Sequence, residues 1–248
     1  AIRNYIISNT MAVSDLLDSG VKRVSAHQLM LLHGAPLSNP DQREKFGFKT
    51  KWRVVARNLG NYGTGEDLLE VEEMVVETPT FSYAEYFETR VFHLLLTIYY
   101  YEGNFEEAFE FAHEHGIKAF DLVVELQKML DSAPKPLRDV IDQFLVESAE
   151  ELFETKEECI AWARANFQEL IEGTKGGNLL SKYSMLGRFF VDNAAIEFLG
   201  QGIATVLVAR GEAYDHEALE AVMRYLDSVM LHTPFAVSTE ATPSWNSA

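Results

Sequence analysis

The chain has 248 residues, 47% of them apolar, with 38 Asp and Glu against 21 Lys and Arg and a formal net charge of −17. That length and composition describe a folded chain with room for a sizeable core, not a disordered or fibrous one. The negative surface argues against binding a phosphate backbone or an anionic lipid surface, so neither nucleic acid nor membrane is expected as a partner. One cysteine, Cys159, allows no internal disulfide and no cysteine-rich metal site, which suits a reducing cytoplasm.

The opening AIRNYIISNT is too short in apolar residues to read as a secretory signal. Thr10–Ser19 is the first predicted helix, with Thr10 as its cap and Gly20 past its end. VKRVSAHQLML comes next as a predicted strand. Val24, Ala26, Gln28 and Met30 share one face, and Ser25, His27, Leu29 and Leu31 the other. Both faces mix polar and apolar groups, as in a strand covered on two sides.

Asn39–Lys51 is expected to be a polar loop. Trp52–Arg57 and Leu68–Thr78 read as strands joined by the glycine-rich NLGNYGTGED. No Lys-Ser/Thr follows those glycines, so a hairpin loop accounts for them better than a phosphate cradle. Within LEVEEMVVE, Glu70 and Glu72 fall on one face and Glu73 and Glu77 on the other. A solvated edge explains most of these carboxylates, while Glu77 is singled out because it closes the strand.

From Phe81 onward the pattern is helical. Ser82 with Glu85, Asn104 with Glu107 and Thr155 with Glu158 each have capping-box spacing. Phe81 and Tyr86 stand at the positions of a hydrophobic staple. Gly116 and Gly173 are expected to stop helices, and Asp215 to open the last one. Pro134 and Pro136 separate Phe120–Leu130 from Leu137–Leu152. Phe189–Ala209 is apolar but carries Asp192, Glu197 and Gln201, and reads as a buried helix rather than a span. The aromatic set from Tyr83 to Tyr101 is expected in a core or domain interface, and Cys159 as a structural thiol. The expected organisation is α+β and mainly α: residues 1–80 mixed, 81–235 a helical domain, and 236–248 a disordered tail.

The strings GVKRVSAHQLMLLHGAPL, REKFGFKTKWRVVARNLGNYG and EVEEMVVETPTFSYAEYFETRVFHLLL, together spanning about residues 20–101, resemble radical S-adenosylmethionine enzymes of the cobalamin (B12)-binding type. The likeness is to the late barrel strand, its loop and the elements C-terminal to them. It implies the late portion of a (β/α) barrel followed by a C-terminal helical domain. Members of the family use S-adenosylmethionine, a 4Fe-4S cluster on a CxxxCxxC loop, and cobalamin. This chain contains no CxxxCxxC, and one cysteine cannot supply three thiolates, so no cofactor is expected to be held by this chain alone.

The resemblance therefore implies the C-terminal part of such an enzyme, closing the barrel and shaping the substrate pocket, and catalytically silent without the remainder. The rest of the barrel or another subunit is the expected partner, with a homodimer as a further expectation from an uncovered strand edge. Gln28, Met30, His33 and Gly34 are implied on the adenine or barrel-mouth side, with Pro36 shaping the loop. Glu77 and His27 are the candidates for chemistry. Two alternatives stay open: an independent helical binding or scaffold protein, and a small-molecule enzyme using Glu77 and His27.

Overall fold

The computed structural model describes residues 13–17, 19, 21–23, 28–61, 63, 65 and 67–230. The expected cap at Thr10, much of the predicted strand around Val24, His27 and the tail 236–248 lie outside these residues. The described chain is α+β and mainly helical.

A short 3-10 turn, Pro36–Ser38, leads into helix α1, Pro40–Phe46. This replaces the polar loop expected over Asn39–Lys51. Its signals were local: Pro40 supplies a helical φ at the first position, and Gly47 ends the helix in the left-handed region at φ +59°. A side chain at Gly47 would also meet Pro79, whose Cγ lies 2.8 Å from the position of a Cβ.

Strands β1, Lys49–Gly60, and β2, Leu68–Glu77, form the predicted hairpin, each starting or ending within a few residues of expectation. Their register pairs Lys51 with Met74, Trp52 with Glu73 and Arg53 with Glu72, and an irregularity interrupts it between Val54 and Leu59. The ribbon's outer edges are not bare. Leu31 N–H donates to the Glu73 carbonyl at 2.9 Å, and Val75 N–H to the Leu29 carbonyl at 2.9 Å. On the β1 side, Trp52 and Phe153 exchange two backbone bonds of 2.8 and 2.7 Å. The expectation of an uncovered edge is corrected at these positions, because the chain itself supplies the missing pairing. All strand pairing and bridges among the described residues are antiparallel.

Helix α2, Tyr83–Tyr99, opens on the predicted capping box: Ser82 accepts from Glu85 N–H, and the Glu85 carboxylate accepts from Ser82 N–H. Phe81 packs in the same small cluster as Tyr86, as a staple requires. The start of α2 covers the hairpin through Tyr86, Met74 and Val76, with Met30 and Leu152 beside them. The rest of α2 enters the main core through Leu94, Leu95, Ile98 and Tyr99. One helix thus fastens the hairpin to the helical body. Each of these large apolar side chains contributes about 1.5–3 kcal/mol on full burial, so packing outweighs any single cap.

Helices α3, Glu106–Glu114, α4, Ala119–Lys128, and α5, Lys135–Glu150, come next. The capping box predicted at Asn104 is overturned. Phe105 is the N-cap of α3 and no side chain caps it. The Asn104 oxygen instead faces Arg188 Nη1 at 3.4 Å. Gly116 at φ +70° lies just past α3, as predicted, and Pro134 and Pro136 mark the start of α5, whose first residue is Lys135. Helix α6, Lys156–Ala165, keeps the box from Thr155 and Glu158, and α7, Phe167–Glu172, stops at Gly173.

Helix α8, Leu179–Phe189, and helix α9, Asp192–Arg210, meet at an 86° bend. The buried helix expected over Phe189–Ala209 is α9, which begins three residues later at Asp192, with Phe189 the last residue of α8. α9 is buried along most of its length, with Ala195, Phe198, Leu199, Ile203 and Leu207 in the core. No single helix among the described residues is long and apolar enough to cross a membrane. Asp215 caps α10, His216–Val229, accepting from Glu217 and Ala218 N–H.

Candidate functional site

Hairpin and helices enclose a cleft of about 510 Å³. Its hairpin wall carries Arg53 and Glu72, directly paired across the register. α2 contributes Arg90, His93 and Thr97, the loop after it Tyr101 and Glu102, and α8 Ser184 and Arg188. Arg23 and Gln28 close the remaining side. Four arginines thus converge on one cleft in a chain whose overall charge is strongly negative.

One end is a satisfied ion cluster. Arg53 Nε lies 2.5 Å from Glu72, and Arg53 Nη1 lies 3.4 Å from Glu151. Arg90 Nη1 reaches the same Glu151 oxygen at 2.9 Å and donates to Gln28 Oε1 at 3.0 Å. Tyr86 Oη donates to that Gln28 oxygen at 3.1 Å. Burial works to lower the Arg53 pKa, but Glu151 and Glu72 outweigh it and the net direction is upward. Burial raises the Tyr86 pKa, against the pull of Arg90 and Arg53. Removing one carboxylate from such a group strands a buried cation, which costs more than the pair contributes.

The other end is less compensated. Arg188 is only 8% exposed. Its Nε donates to the Ser184 carbonyl at 3.2 Å, while the nearest carboxylate oxygen, from Glu102, stands 3.8 Å from Nη1. Glu102 also sits 3.6 Å from Arg23 Nη2, so one loosely held carboxylate serves two guanidinium groups. Burial holds the Arg188 pKa below its ordinary value, opposed by Glu102 and reinforced by Arg23. Among the described residues, Gln28 Nε2, Arg90 Nε and Tyr101 Oη are buried without a hydrogen-bond partner, and all three residues line this cleft. An unmet buried polar group costs about 1–3 kcal/mol, so the fold carries three such costs beside one cleft.

The residues singled out from the sequence scatter. Gln28 is in the cleft. Met30 is not: it bridges Met74 and packs under the hairpin. His33 and Gly34 sit in the turn before Pro36, and Gly34 takes φ +80°. Glu77 forms an exposed ion pair with Lys49 and lines neither this cleft nor its neighbour. His27 lies outside the described residues. That neighbour, about 480 Å³, lies between Val54, Phe153, Trp162 and the Gly173–Asn178 loop.

Arg90 and Arg188 were missed. Each had a readable signal, an arginine set among apolar residues, in TRVFHLLL and in MLGRFF. A cation in an apolar helical stretch is held there by a partner or a ligand. The competing reading for Arg188 is a helix-terminal charge, since it falls in the last turn of α8.

The residues present do not fit an iron-sulfur cluster. Cys159 is the chain's one cysteine, it is buried, and burial pushes its thiol up to about 12, away from the thiolate that iron requires. Among the described residues, no three His, Cys, Asp or Glu side chains are grouped so as to hold a metal ion. No protein-family model matches the chain, and no curated protein matches it either.

Proposed function

We propose that this chain is the C-terminal part of a B12-binding radical S-adenosylmethionine enzyme, supplying a polar wall of the substrate pocket rather than the radical chemistry. The observation that carries the reading is the position of Gln28. It stands in the segment that resembles the late barrel strand, and it opens onto the cleft between hairpin and helices. In that family the late strand lies near the adenine and its loop near the substrate, so a polar cleft beside Gln28 is where substrate would be held.

The reading also limits what the hairpin can be. A (β/α) barrel is built from parallel neighbours joined by crossovers, whereas β1 and β2 are an antiparallel hairpin. On this proposal, only the segment ending near Leu31 belongs to the barrel. β2 then extends that strand antiparallel through Leu29 and Val75, and α2 fastens the extension to the helical domain. The cluster and the remaining barrel come from sequence outside these 248 residues or from another subunit. The work left to this chain is to bind, orient and exclude water.

Anaerobic reconstitution with iron and sulfide tests the reading. The chain alone is expected to take up no cluster. Together with a CxxxCxxC barrel encoded ahead of it or beside it, it is expected to support cleavage of S-adenosylmethionine to 5′-deoxyadenosine. A cluster on the chain alone, turnover without any partner, or no CxxxCxxC sequence in the surrounding reading frames would overturn it.

A further inference from the structure

The geometry points to an oxyanion site at the Arg188 end of the cleft, where a carboxylate or phosphate group of a small molecule is bound by Arg188 and Tyr101. Calling that molecule the substrate rests on the proposed function; the binding itself rests only on the side chains described here.

Two features meet at this end of the cleft. Arg188 is buried with its closest carboxylate at 3.8 Å, too far for a direct hydrogen bond, and that carboxylate is shared with Arg23. Among the described residues, Tyr101 Oη, next in the chain to Glu102, is a buried donor with no acceptor.

Both features are donors, and the acceptors that face Arg188 Nη1 stand off from it, Asn104 Oδ1 at 3.4 Å and Glu102 at 3.8 Å. A cation would meet Arg188 and Arg23 there, and an apolar ligand would leave Tyr101 Oη unmet. A planar or tetrahedral oxyanion satisfies them, because guanidinium groups and phenolic O–H donate to its oxygens with charge assistance. Glu102 is the competitor: it occupies the site loosely, and a ligand anion with better reach would displace it.

Titration of the full chain with inorganic phosphate and, separately, with succinate tests this, at constant ionic strength so that exposed charges are screened equally. The readout is the arginine Nε–H signals in NMR. A saturable shift is expected with at least one probe; tighter binding of phosphate marks a phosphorylated ligand, and tighter binding of succinate a carboxylate. Arg188→Met is expected to weaken binding about tenfold or more. Because that variant carries a risk to folding, two variants that preserve packing decide the matter. Tyr101→Phe is expected to weaken binding severalfold, and Glu102→Gln to tighten it by removing the competitor. Arg224→Met, in an exposed pair with Glu220 outside the cleft, is expected to change nothing.

No saturable shift up to about 10 mM of either probe, or a shift that Tyr101→Phe and Glu102→Gln both leave unchanged, overturns the inference. Neither result touches the proposed function, whose test measures a cluster. Failure of the cluster test likewise leaves the anion titration standing.

Discussion

Arg43 holds Glu73 with both ends of its guanidinium group, Nη1 to Oε1 at 2.7 Å and Nη2 to Oε2 at 2.6 Å. Arg43 belongs to α1, the helix found where a loop was expected, and Glu73 to the buried middle of β2. Thr50 Oγ1 adds a third bond to the same carboxylate at 2.6 Å. The pair is therefore what attaches α1 to the hairpin.

This pair gives stability an acid limb. The Arg43 hydrogen bonds hold the Glu73 carboxyl below its ordinary 4.5, against the opposing effect of burial and with help from Thr50. A depressed folded-state pKa means stability that is present above about pH 4.5 and is lost as pH falls through the folded value. Glu73→Gln is expected to remove that part of the acid dependence in urea titrations between about pH 3 and 6. At neutral pH, Arg43→Met is expected to cost about 1–3 kcal/mol, because it leaves the Glu73 charge buried without its main donor. An acid limb unchanged in Glu73→Gln would count against this assignment.

Gly187 in α8 lies where a Cβ would come within 2.7 Å of Ile98 Cδ1 and 2.9 Å of its Cγ1. Helix propensity alone favours alanine there by about 0.5–1 kcal/mol. Ile98 is buried in the core and cannot swing away, so overpacking of about 1–3 kcal/mol wins. Gly187→Ala is expected to lower the denaturation midpoint, by about 1 kcal/mol net. A stabilised variant would mean that α2 and α8 are less closely packed than this.

The contrast between Thr155 and Asn104 separates a working cap from a spacing coincidence. Thr155→Ala is expected to cost about 1 kcal/mol, since Glu158 N–H loses its acceptor. Asn104→Ala removes no cap, because Phe105 is the N-cap of α3; what it removes is the oxygen facing buried Arg188, so its effect is expected to vanish in an Arg188→Met background. A loss in chemical denaturation that persists in that background would restore the capping box at Asn104.

Burial pushes the Cys159 thiol up to about 12, so hardly any thiolate exists near neutrality. The folded chain is expected to resist a disulfide reagent at about pH 8, and to react with one equivalent of it once unfolded in guanidinium chloride. Rapid reaction of the native protein would show that Cys159 is not buried in solution.

Much of the helical architecture was legible because its signals are local. Ser82 with Glu85, Thr155 with Glu158, and Asp215 with its two amides all act within three residues. The hairpin was equally readable, because two β-rich runs flank a glycine-rich joint. Asn104 failed by the same logic: its spacing was right, but Arg188, distant in sequence, faces its side chain instead. The bend at Phe190 and Val191 was not legible for a related reason, since an apolar run says that a segment is buried but not that the chain turns by 86° as it enters it.

The cleft is the clearest case of a feature that local pattern does not carry. Gln28 was implied by the family resemblance, whereas Arg53, Arg90 and Arg188 each stand in the sequence beside apolar neighbours with nothing local to join them. By itself, the order of residues determined the mainly helical α+β class, most helix ends, the hairpin and the shortage of thiols. Tertiary structure alone decided which charges meet, which donors are left without acceptors and which edge of the ribbon is covered. The physical reason is range: caps, turns and periodicity act over a few residues, whereas charge pairing and desolvation depend on distances that exist only after the chain has closed on itself.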